Sequence, residues 1–437
     1  MRFVTTRTQG TSGVSFTAAL FDGLAPDGSL YMPESIDRWT AEELSGLPSQ
    51  SLVELGIRVL RPYTREEIDE ATLRSIVGEA LNFPIPLVEI EPGVHALELF
   101  HGPTLAFKDI GARVMARLIS ALHDGEAPTS VLTATSGDTG SAVAHAFHQV
   151  PHTRVIVLYP DGRVSPQQEA QMTMFNAERD TNVRAYAIAG SFDDCQRLVK
   201  AASSDKALLE RIRLTSANSI NIGRLLPQMV YYFHLVTQLG RSTGSGAAVV
   251  STPSGNFGNL TAGLMARRAG LPIRQFIAAT NVNDVVPEYL ATGRFAPRPS
   301  KQTVANAMDV GNPSNFDRMS WMYGRDVDAM RRDMTGSAHH DDEVRAAIRR
   351  VHDDRGYLLD PHSAIAYLGL TRGGVERGGL PGVFLATAHP AKFHEVVESV
   401  IGRPIDKPAP LTDALSRPRH IIRIDASLDA VKDRLFE

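Results

Sequence analysis

From about residue 93 onward, short apolar segments alternate with longer segments in which apolar residues recur at helical spacing. The short segments are rich in β-branched residues, which is typical of buried strands, whereas the longer ones predict helices. This alternation predicts an α/β fold in which parallel sheets are covered by helices. The predicted strands are 130–135, 154–159, 183–189, 247–252, 274–280 and 382–387, and the predicted helices are 113–123, 141–150, 166–176, 192–203, 222–239 and 260–269. Residues 291–345 show no pattern that predicts either helices or strands.

Residues 1–92 lack this alternation and predict a separate N-terminal domain, which a catalytic region over 93–437 follows. The first six residues are predicted as an edge strand, and Ser15 is a typical N-cap for a helix that ends near Leu24. A second helix is predicted from Thr64 to Leu81, because Thr64 and Glu67 have the spacing of a capping box. Prolines at positions 84, 86 and 92 then predict a stiff linker.

The composition of the 437 residues is that of a soluble globular protein, with 43% apolar and 22% charged residues. A formal net charge of -4 argues against a nucleic-acid partner. The single cysteine, Cys195, excludes an internal disulfide and fits a reducing compartment. Since the sequence contains neither an apolar signal core nor a run of membrane-spanning length, we predict a cytoplasmic protein without a membrane partner.

The segment His101 to Lys108, HGPTLAFK, contains the first candidate for chemistry. A turn at Gly102 to Thr104 is followed by the apolar residues 105–107, directly before the Lys108 ammonium. An amine held against apolar surface has a lowered pKa, so it becomes available as a nucleophile or a base. Lys108 therefore has the setting of a lysine that attacks a carbonyl, although a solvated surface lysine is the common alternative.

A glycine-containing loop, PSGNFGN, lies between the predicted strand 247–252 and a predicted helix. Backbone N–H groups and the positive end of a helix dipole make such a loop a phosphate site. An ordinary strand-to-helix turn, with glycines present for geometry alone, is the alternative. The candidate phosphate ligands are Gly255, Asn256, Phe257, Gly258 and Asn259.

Two further polar segments precede predicted helices. Thr135 to Gly140, TSGDTG, offers hydroxyl and N–H groups to a carboxylate, and Asn218 to Arg224, NSINIGR, offers three polar donors and a guanidinium to a phosphate. Plain helix capping is the alternative for both. His389 and Lys392, after the strand 382–387, are interpreted as polar residues at a strand end. The cluster His339 to Asp342 is interpreted as the solvated start of a helix, and no metal site is predicted.

Seven segments together resemble the threonine synthase family, in its longer form with an additional N-terminal domain. They run in order over nearly the whole chain, as SFTAALFDGLAPDGSLYMP (15–33), LFHGPTLAFKD (99–109), TATSGDTGSAVAHAF (133–147), NSINIGRLLPQ (218–228), SGNFGN (254–259), MDVGNPSNF (308–316) and ATAHPAKF (386–393). The resemblance implies a pyridoxal 5'-phosphate enzyme of fold type II. That fold has two parallel-sheet sub-domains with helices on both faces, and here an N-terminal domain is added.

The resemblance also implies a reaction, in which O-phospho-L-homoserine and water give L-threonine and phosphate by γ-elimination and β-addition. A monomer or a homodimer is expected, with a mobile smaller sub-domain at about 128–215 that excludes water when it closes. Lys108 is expected to carry the cofactor and to act as general base, and Thr387 is expected to face the pyridine nitrogen. The substrate carboxylate is assigned to Thr135, Ser136, Gly137, Asp138 and Thr139, and the substrate phosphate to Ser219, Asn221 and Arg224.

Three alternatives remain open at this point. A hydroxy-amino-acid dehydratase or β-replacing synthase on the same scaffold needs no second anion site. A phosphate-lyase would act on a similar substrate without adding water back. A non-catalytic relative would bind the cofactor or another ligand as a sensor, and it would not need to keep both Lys108 and the glycine loop.

Overall fold

The computed structural model describes residues 1–7, 13–372 and 377–436. Its N-terminal part contains an antiparallel pair of strands and four helices that pack into the main core. These elements are β1 (Phe3–Thr5), α1 (Phe16–Asp22), β2 (Tyr31–Pro33), α2 (Ala41–Ser45), α3 (Leu52–Thr64) and α4 (Glu70–Ala80). Ser15 caps α1 as predicted, since its side chain accepts a hydrogen bond from Ala18 N.

The predicted capping box at Thr64 is wrong. Thr64 is the last residue of α3, and Asp69 caps α4 instead. The Glu67 carboxylate accepts hydrogen bonds from the backbone N–H groups of Phe16 (2.8 Å) and Thr17 (2.7 Å), so it binds the N-terminus of α1. A tertiary contact therefore uses the carboxylate that the sequence pattern assigned to a local cap.

A five-stranded parallel sheet forms the smaller of two layers in the described chain, with strand order β13-β7-β6-β5-β8. It follows β3 (Leu87–Glu91), β4 (Val94–Glu98) and α5 (Lys108–Ala121) in sequence. Its elements are β5 (Thr129–Ala134), α6 (Asp138–Phe147), β6 (Thr153–Pro160), α7 (Pro166–Thr173), β7 (Val183–Ile188), α8 (Phe192–Ser203), α9 (Lys206–Leu209) and β8 (Leu214–Thr215), and its last strand, β13, comes from near the C-terminus.

A six-stranded sheet, in the order β11-β10-β9-β12-β4-β3, forms the larger layer of the described residues. Its pairs are parallel except for β3 and β4, which are antiparallel. The elements from here onward are α10 (Ile222–Leu225), α11 (Met229–Thr243), β9 (Ala248–Pro253), α12 (Gly258–Arg268), β10 (Ile273–Thr280), α13 (Val285–Thr292), α14 (Phe316–Met322), α15 (Val327–Asp333), β11 (Met334–Ala338), α16 (Asp341–Arg355), α17 (Pro361–Arg372), β12 (Gly382–Ala386), α18 (His394–Ile401), α19 (Ala409–Ser416), β13 (Ile422–Ile424) and α20 (Leu428–Phe436).

The predicted fold class is confirmed, since two sheets that are parallel apart from the β3–β4 pair carry helices on both faces, and an N-terminal unit is added. The predicted helix 222–239 is broken, however. Pro227 has no N–H to donate, so a 3-10 turn at Leu226–Gln228 separates α10 from α11. Strand β11 lies in the stretch that showed no assignable pattern. In the ranges described, no helix is both long enough and apolar enough to cross a membrane.

Candidate active site

A cavity opens at the carboxyl ends of β5, β9 and β12, as expected for a parallel sheet. The predicted residues that line it are Lys108, Thr135, Ser136, Asp138, Thr139, Ser219, Arg224, Gly255, Asn256, Phe257, Gly258, Asn259 and Thr387. Gly137 and Asn221 do not line it. The structure thus brings together five segments that are far apart in sequence, and the roles of their residues stay predictions.

Lys108 is the first residue of α5, and its side chain is 16% exposed in the cavity. The loop before it is fixed to the segment after β12, because Phe107 N donates to Thr387 O at 2.9 Å and Ala106 forms a bridge with Ala388. Burial lowers the pKa of the Lys108 ammonium, and the nearby cations Lys392 and Arg224 lower it further, against the attraction of Asp138. The amine is therefore poised to act as a nucleophile or base.

The glycine loop joins β9 to α12 as predicted. Phe257 has a left-handed backbone (φ 60°) and starts the helix, so the first N–H groups of α12 belong to cavity-lining residues. Gly255 is required by close packing, since a Cβ there would lie 2.7 Å from Met308 Cα. Asn259 shapes the loop itself: its Nδ2 donates to Pro253 O at 2.8 Å. A cradle of backbone donors at a helix N-terminus results.

Arg224 is a buried cation, 3% exposed, that lines the same cavity. Its Nη1 donates to Ala217 O, while its Nε is buried without a hydrogen-bond partner among the described residues. No carboxylate of the described chain lies within ion-pair distance of the guanidinium. Burial lowers its pKa to about 10, which still leaves it charged near neutral pH. Such a group has unused capacity for an anion.

Asn221 is not among the residues that line the cavity. Its Nδ2 donates to Leu20 O (2.8 Å), Thr215 Oγ1 and Ser216 O, and its Oδ1 accepts from Gly223 N (2.8 Å). The side chain is fully buried and caps α10, so its donors are used within the protein. Helix capping, the alternative weighed for this segment, therefore describes Asn221, whereas Ser219 and Arg224 face the cavity.

In the segment after β5, some residues likewise shape the turn whereas others are partly exposed at the cavity. Thr135 Oγ1 accepts hydrogen bonds from Gly137 N (2.9 Å) and Gly140 N (2.8 Å), so this hydroxyl shapes the turn. Gly137 has φ 139° and lies against Gln168, where a Cβ would be 2.3 Å from the side chain. Ser136 and Thr139 are the partly exposed members at the cavity.

Asp138, which was assigned to the substrate carboxylate, faces two lysines, Lys108 and Lys392. Its Oδ2 lies 3.6 Å from Lys108 Nζ, and its Oδ1 lies 2.9 Å from Lys392 Nζ. The interpretation of Lys392 as a strand-end polar residue is wrong, because its side chain is completely buried. The backbone folds the segment after β12 into a 3-10 turn, which directs Lys392 inward. A weak signal for this burial is that Lys392 lies between the apolar residues Ala391 and Phe393.

Other cavity residues were not indicated by the sequence patterns. His362, at the start of α17, places Nδ1 2.8 Å from Asp360 Oδ1, and its Nε2 accepts from Ala307 N at 3.3 Å. Gln196 and Lys200 of α8 line the cavity from the smaller sheet. Their helix was predicted correctly, but spacing alone does not show which face of it meets the other layer. His339 of the polar cluster before α16 is buried rather than solvated, and the described residues contain no group of metal-ligating side chains.

Three family models match the chain. The pyridoxal-phosphate dependent enzyme model matches residues 82–384, the threonine synthase N-terminus model matches residues 2–81, and the threonine synthase C-terminal model matches residues 363–434. Threonine synthase of Escherichia coli is 43% identical over 93% of this chain and 92% of its own length. That of Haemophilus influenzae is 45% identical over 91% of each chain.

Solved structures agree with this result. Crystal structures of threonine synthase from Escherichia coli (40% identical) and of PLP-bound threonine synthase from Brucella melitensis (38% identical) each superpose with a TM-score of 0.92. They cover the whole of this chain, which covers 99% and 98% of theirs. A threonine deaminase with 17% identity reaches a TM-score of 0.53 over 73% of the chain, which indicates a shared fold alone.

Proposed function

Because this chain belongs to the threonine synthase family, we propose that it converts O-phospho-L-homoserine and water into L-threonine and phosphate with pyridoxal 5'-phosphate. The observation that carries this proposal is Arg224, a buried guanidinium that lines the cavity of Lys108 and whose Nε has no hydrogen-bond partner among the described residues. A dehydratase on this scaffold has no need for a second anion site, whereas a phosphorylated amino acid does.

The residues of the cavity fit the proposed cofactor. A buried amine with a lowered pKa is available for covalent attachment at Lys108. The loop from Gly255 to Asn259 offers backbone donors to the cofactor phosphate, and Gly255 has no room for a larger side chain. Thr387 also lines the cavity, and its neutral hydroxyl would face the pyridine nitrogen without forcing that nitrogen to be protonated.

When bound, the cofactor supplies an electron sink for carbanion chemistry. Lys108 would move the proton at the substrate α-carbon, first as base and then as acid, because its amine is buried and has a lowered pKa. Ser219 and Arg224 would hold the substrate phosphate until it leaves, and Ser136 and Thr139 would orient the carboxylate. Closure of the smaller layer over the cavity would keep stray water out.

Product analysis tests the proposal. Wild-type protein loaded with the cofactor should release phosphate and threonine in equal amounts, and Lys108→Ala should release neither. Accumulation of 2-oxobutyrate instead of threonine would favour a phosphate-lyase. A protein that does not gain a visible absorption band with pyridoxal 5'-phosphate, or whose band is insensitive to borohydride, would overturn the proposal together with its rivals on this scaffold.

Arg224→Ala separates the proposed enzyme from a dehydratase. Removing the guanidinium should raise KM for the phosphorylated substrate by about 100-fold or more, since a charged hydrogen bond to a buried anion contributes about 3 kcal/mol. An unchanged KM would favour a substrate without a phosphate. Arg224→Lys, which keeps the charge but loses the planar donors, should give an intermediate KM.

We also propose that the enzyme acts in the cytoplasm on a free small molecule, as a monomer or a homodimer. The buried thiol of Cys195, free in the structure, supports a reducing compartment. Light scattering during size-exclusion chromatography would determine the oligomeric state. A mass above that of a dimer would overturn this part of the proposal. We further propose the division into domains 1–92 and 93–437, although residue 92 lies in the turn between the paired strands β3 and β4. Limited proteolysis at this turn should leave two separately folded fragments, and fragments that unfold would overturn the boundary.

A further inference from the structure

Lys392 is a buried lysine to which the proposed reaction assigns no role. Its side chain is 0% exposed, and its ammonium contacts two groups: Asp138 Oδ1 at 2.9 Å and the backbone carbonyl of Thr104 at 2.8 Å. Lysine is almost never fully buried unless it is paired, because the ammonium loses its hydration. A residue held in such a costly position calls for a reason beyond packing.

The position of Lys392 joins three parts of the molecule. It follows β12 of the larger sheet, Asp138 begins α6 above the smaller sheet, and Thr104 belongs to the loop that precedes Lys108. Thr104 is itself fixed, since its N–H and hydroxyl both donate to Asp109, at 2.8 and 2.6 Å. The Lys392 ammonium therefore connects the loop that carries Lys108 to the carboxylate that faces it.

Asp138 is shared between two ammonium groups. Burial alone would raise the pKa of this carboxyl, but Lys392, Lys108 and His362, with a hydrogen bond from Gln168 Nε2 at 3.0 Å, outweigh it and hold the pKa below its ordinary value. The carboxylate is 3% exposed and ionised. Its nearer cation is Lys392, at 2.9 Å, and Lys108 is farther away, at 3.6 Å.

This division of contacts matters because the two lysines differ in what they do. In the proposed function the Lys108 amine is free at one stage and attached to the cofactor at another, so its charge changes during turnover. With Lys108 as its sole cation, a buried carboxylate would bind the ammonium form tightly and lower the fraction of reactive amine. It would also lose its counter-ion at the stage at which that amine is free and uncharged.

We propose that Lys392 is a positioning residue: by neutralising Asp138 throughout, it lets this carboxylate hold the Lys108 amine in place without trapping it as an unreactive ammonium. The part of this inference that concerns turnover rests on the proposed function. The electrostatic effect of Lys392 on Asp138 and Lys108 involves only side chains of this chain. Among the described residues, the charged groups nearest to Lys108 are Asp138 on α6, Lys392 after β12 and Arg224 on α10. His362 and Lys200 also line the cavity, and the Asp109 carboxyl on α5 lies near Lys392.

The test measures the Lys108 amine directly. Full-length protein without cofactor is acylated with a trace of acetic anhydride at a series of pH values, and mass spectrometry of the Lys108 peptide gives the midpoint of its reactivity. Lys108 is accessible from the cavity, whereas Lys392 is buried. Lys392→Met should move this midpoint upward by about one pH unit, which is a roughly tenfold loss of free amine at a fixed lower pH.

Two controls separate this electrostatic effect from a loss of packing. Gln171→Leu removes the other side chain that donates to Thr104 O, at 3.3 Å, without a change in charge, so it should leave the midpoint in place. Lys392→Arg keeps the charge and should also preserve it. An unchanged or lowered midpoint in Lys392→Met would overturn the proposal and leave Lys392 a purely structural residue.

A second variant covers the case in which Lys392→Met does not fold. Asp138→Asn removes the carboxylate and keeps Lys392, so the Lys108 midpoint should fall, and an unchanged midpoint would overturn the proposal. In the loaded enzyme, Lys392→Met should lower kcat at least tenfold near pH 7 with recovery at higher pH, while KM changes little. Because acylation needs neither cofactor nor turnover, it can fail or succeed independently of the proposed reaction.

Discussion

Asn256 and Ser219 are joined side chain to side chain: Asn256 Nδ2 donates to Ser219 Oγ at 2.7 Å. Asn256 belongs to the glycine loop and Ser219 to the segment that carries Arg224. Asn256 is held from its other side as well, since Ser314 N donates to its Oδ1 at 2.6 Å. This hydrogen bond therefore ties the glycine loop to the segment of Arg224, which are the two proposed anion sites of the cavity.

Ser219→Ala should disturb both sites. The Ser219 oxygen also accepts from Asn315 Nδ2 at 3.2 Å, so the variant leaves two partly buried amide donors unpaired. We expect KM for the phosphorylated substrate to rise about tenfold and the free energy of unfolding to fall by about 1–3 kcal/mol. Steady-state kinetics and urea unfolding check these values. Ser314→Ala keeps its backbone bond to Asn256 and should change both far less; equal effects in the two variants would contradict the argument.

Asn221→Ala should destabilise the protein without weakening substrate binding. The buried amide donates to Leu20 O and caps α10, so its removal leaves several backbone groups unpaired. The expected loss of unfolding free energy is about 2–4 kcal/mol, measured by urea denaturation. KM should stay within about twofold of wild type. A large rise in KM with unchanged stability would return Asn221 to the substrate site.

Gly255→Ala should weaken cofactor binding. The new Cβ would lie 2.7 Å from Met308 Cα and 3.0 Å from Ala307 O, so the loop must move away from its present position. We expect the dissociation constant for pyridoxal 5'-phosphate to rise at least about tenfold, because the backbone N–H groups of the moved loop would no longer all point at the cofactor phosphate. An absorbance titration measures it. Gly78→Ala, where a Cβ meets no atom within 4 Å, is the matched control and should bind normally.

His389 should make stability depend on pH. Burial, and then the neighbouring His101, lower the pKa of its imidazole from 6.5 to about 4. As pH falls from 6.5 towards 4, the unfolded chain takes up a proton that the folded protein refuses, so stability decreases over this interval and not below it. The expected share of His389 is about 3 kcal/mol.

His389→Asn isolates that share. The amide oxygen of asparagine can still accept from Ala391 N, as the His389 Nδ1 does at 3.1 Å, but it does not titrate. Urea unfolding at pH 7, 6 and 5 should show a smaller loss of stability in the variant than in wild type. Parallel pH curves for the two proteins would show that His389 has an ordinary pKa.

Much of the larger architecture followed from pattern alone. The alternation of apolar and periodic segments fixed the parallel sheets, and strand-to-loop-to-helix order placed the glycine loop correctly. Elements that depend on distant partners were not predictable in this way. Glu67 has the spacing of a local cap but binds α1, and β11 pairs with β10 through a sequence with no strand pattern of its own.

The candidate site shows the same limit at the level of side chains. Motifs identified which loops meet, but not which member of each motif points inward. Asn221 and Arg224 belong to one short segment, yet one is used to cap a helix and the other lines the cavity. Lys392 was interpreted as a polar residue at a strand end, but its side chain is completely buried. The direction of a side chain in a turn depends on backbone dihedrals, and the spacing of residue types does not encode those dihedrals.

The return of β13 to the smaller sheet has a consequence for biosynthesis. It pairs in parallel with β7, although four of the six strands of the larger sheet, β9 to β12, lie between them in sequence. While the ribosome is still making that intervening chain, β7 presents an unpaired edge that can associate with other nascent chains. The smaller layer is therefore completed only after residue 424 has emerged, and chaperones that shield exposed strand edges would have their greatest effect on yield during that interval.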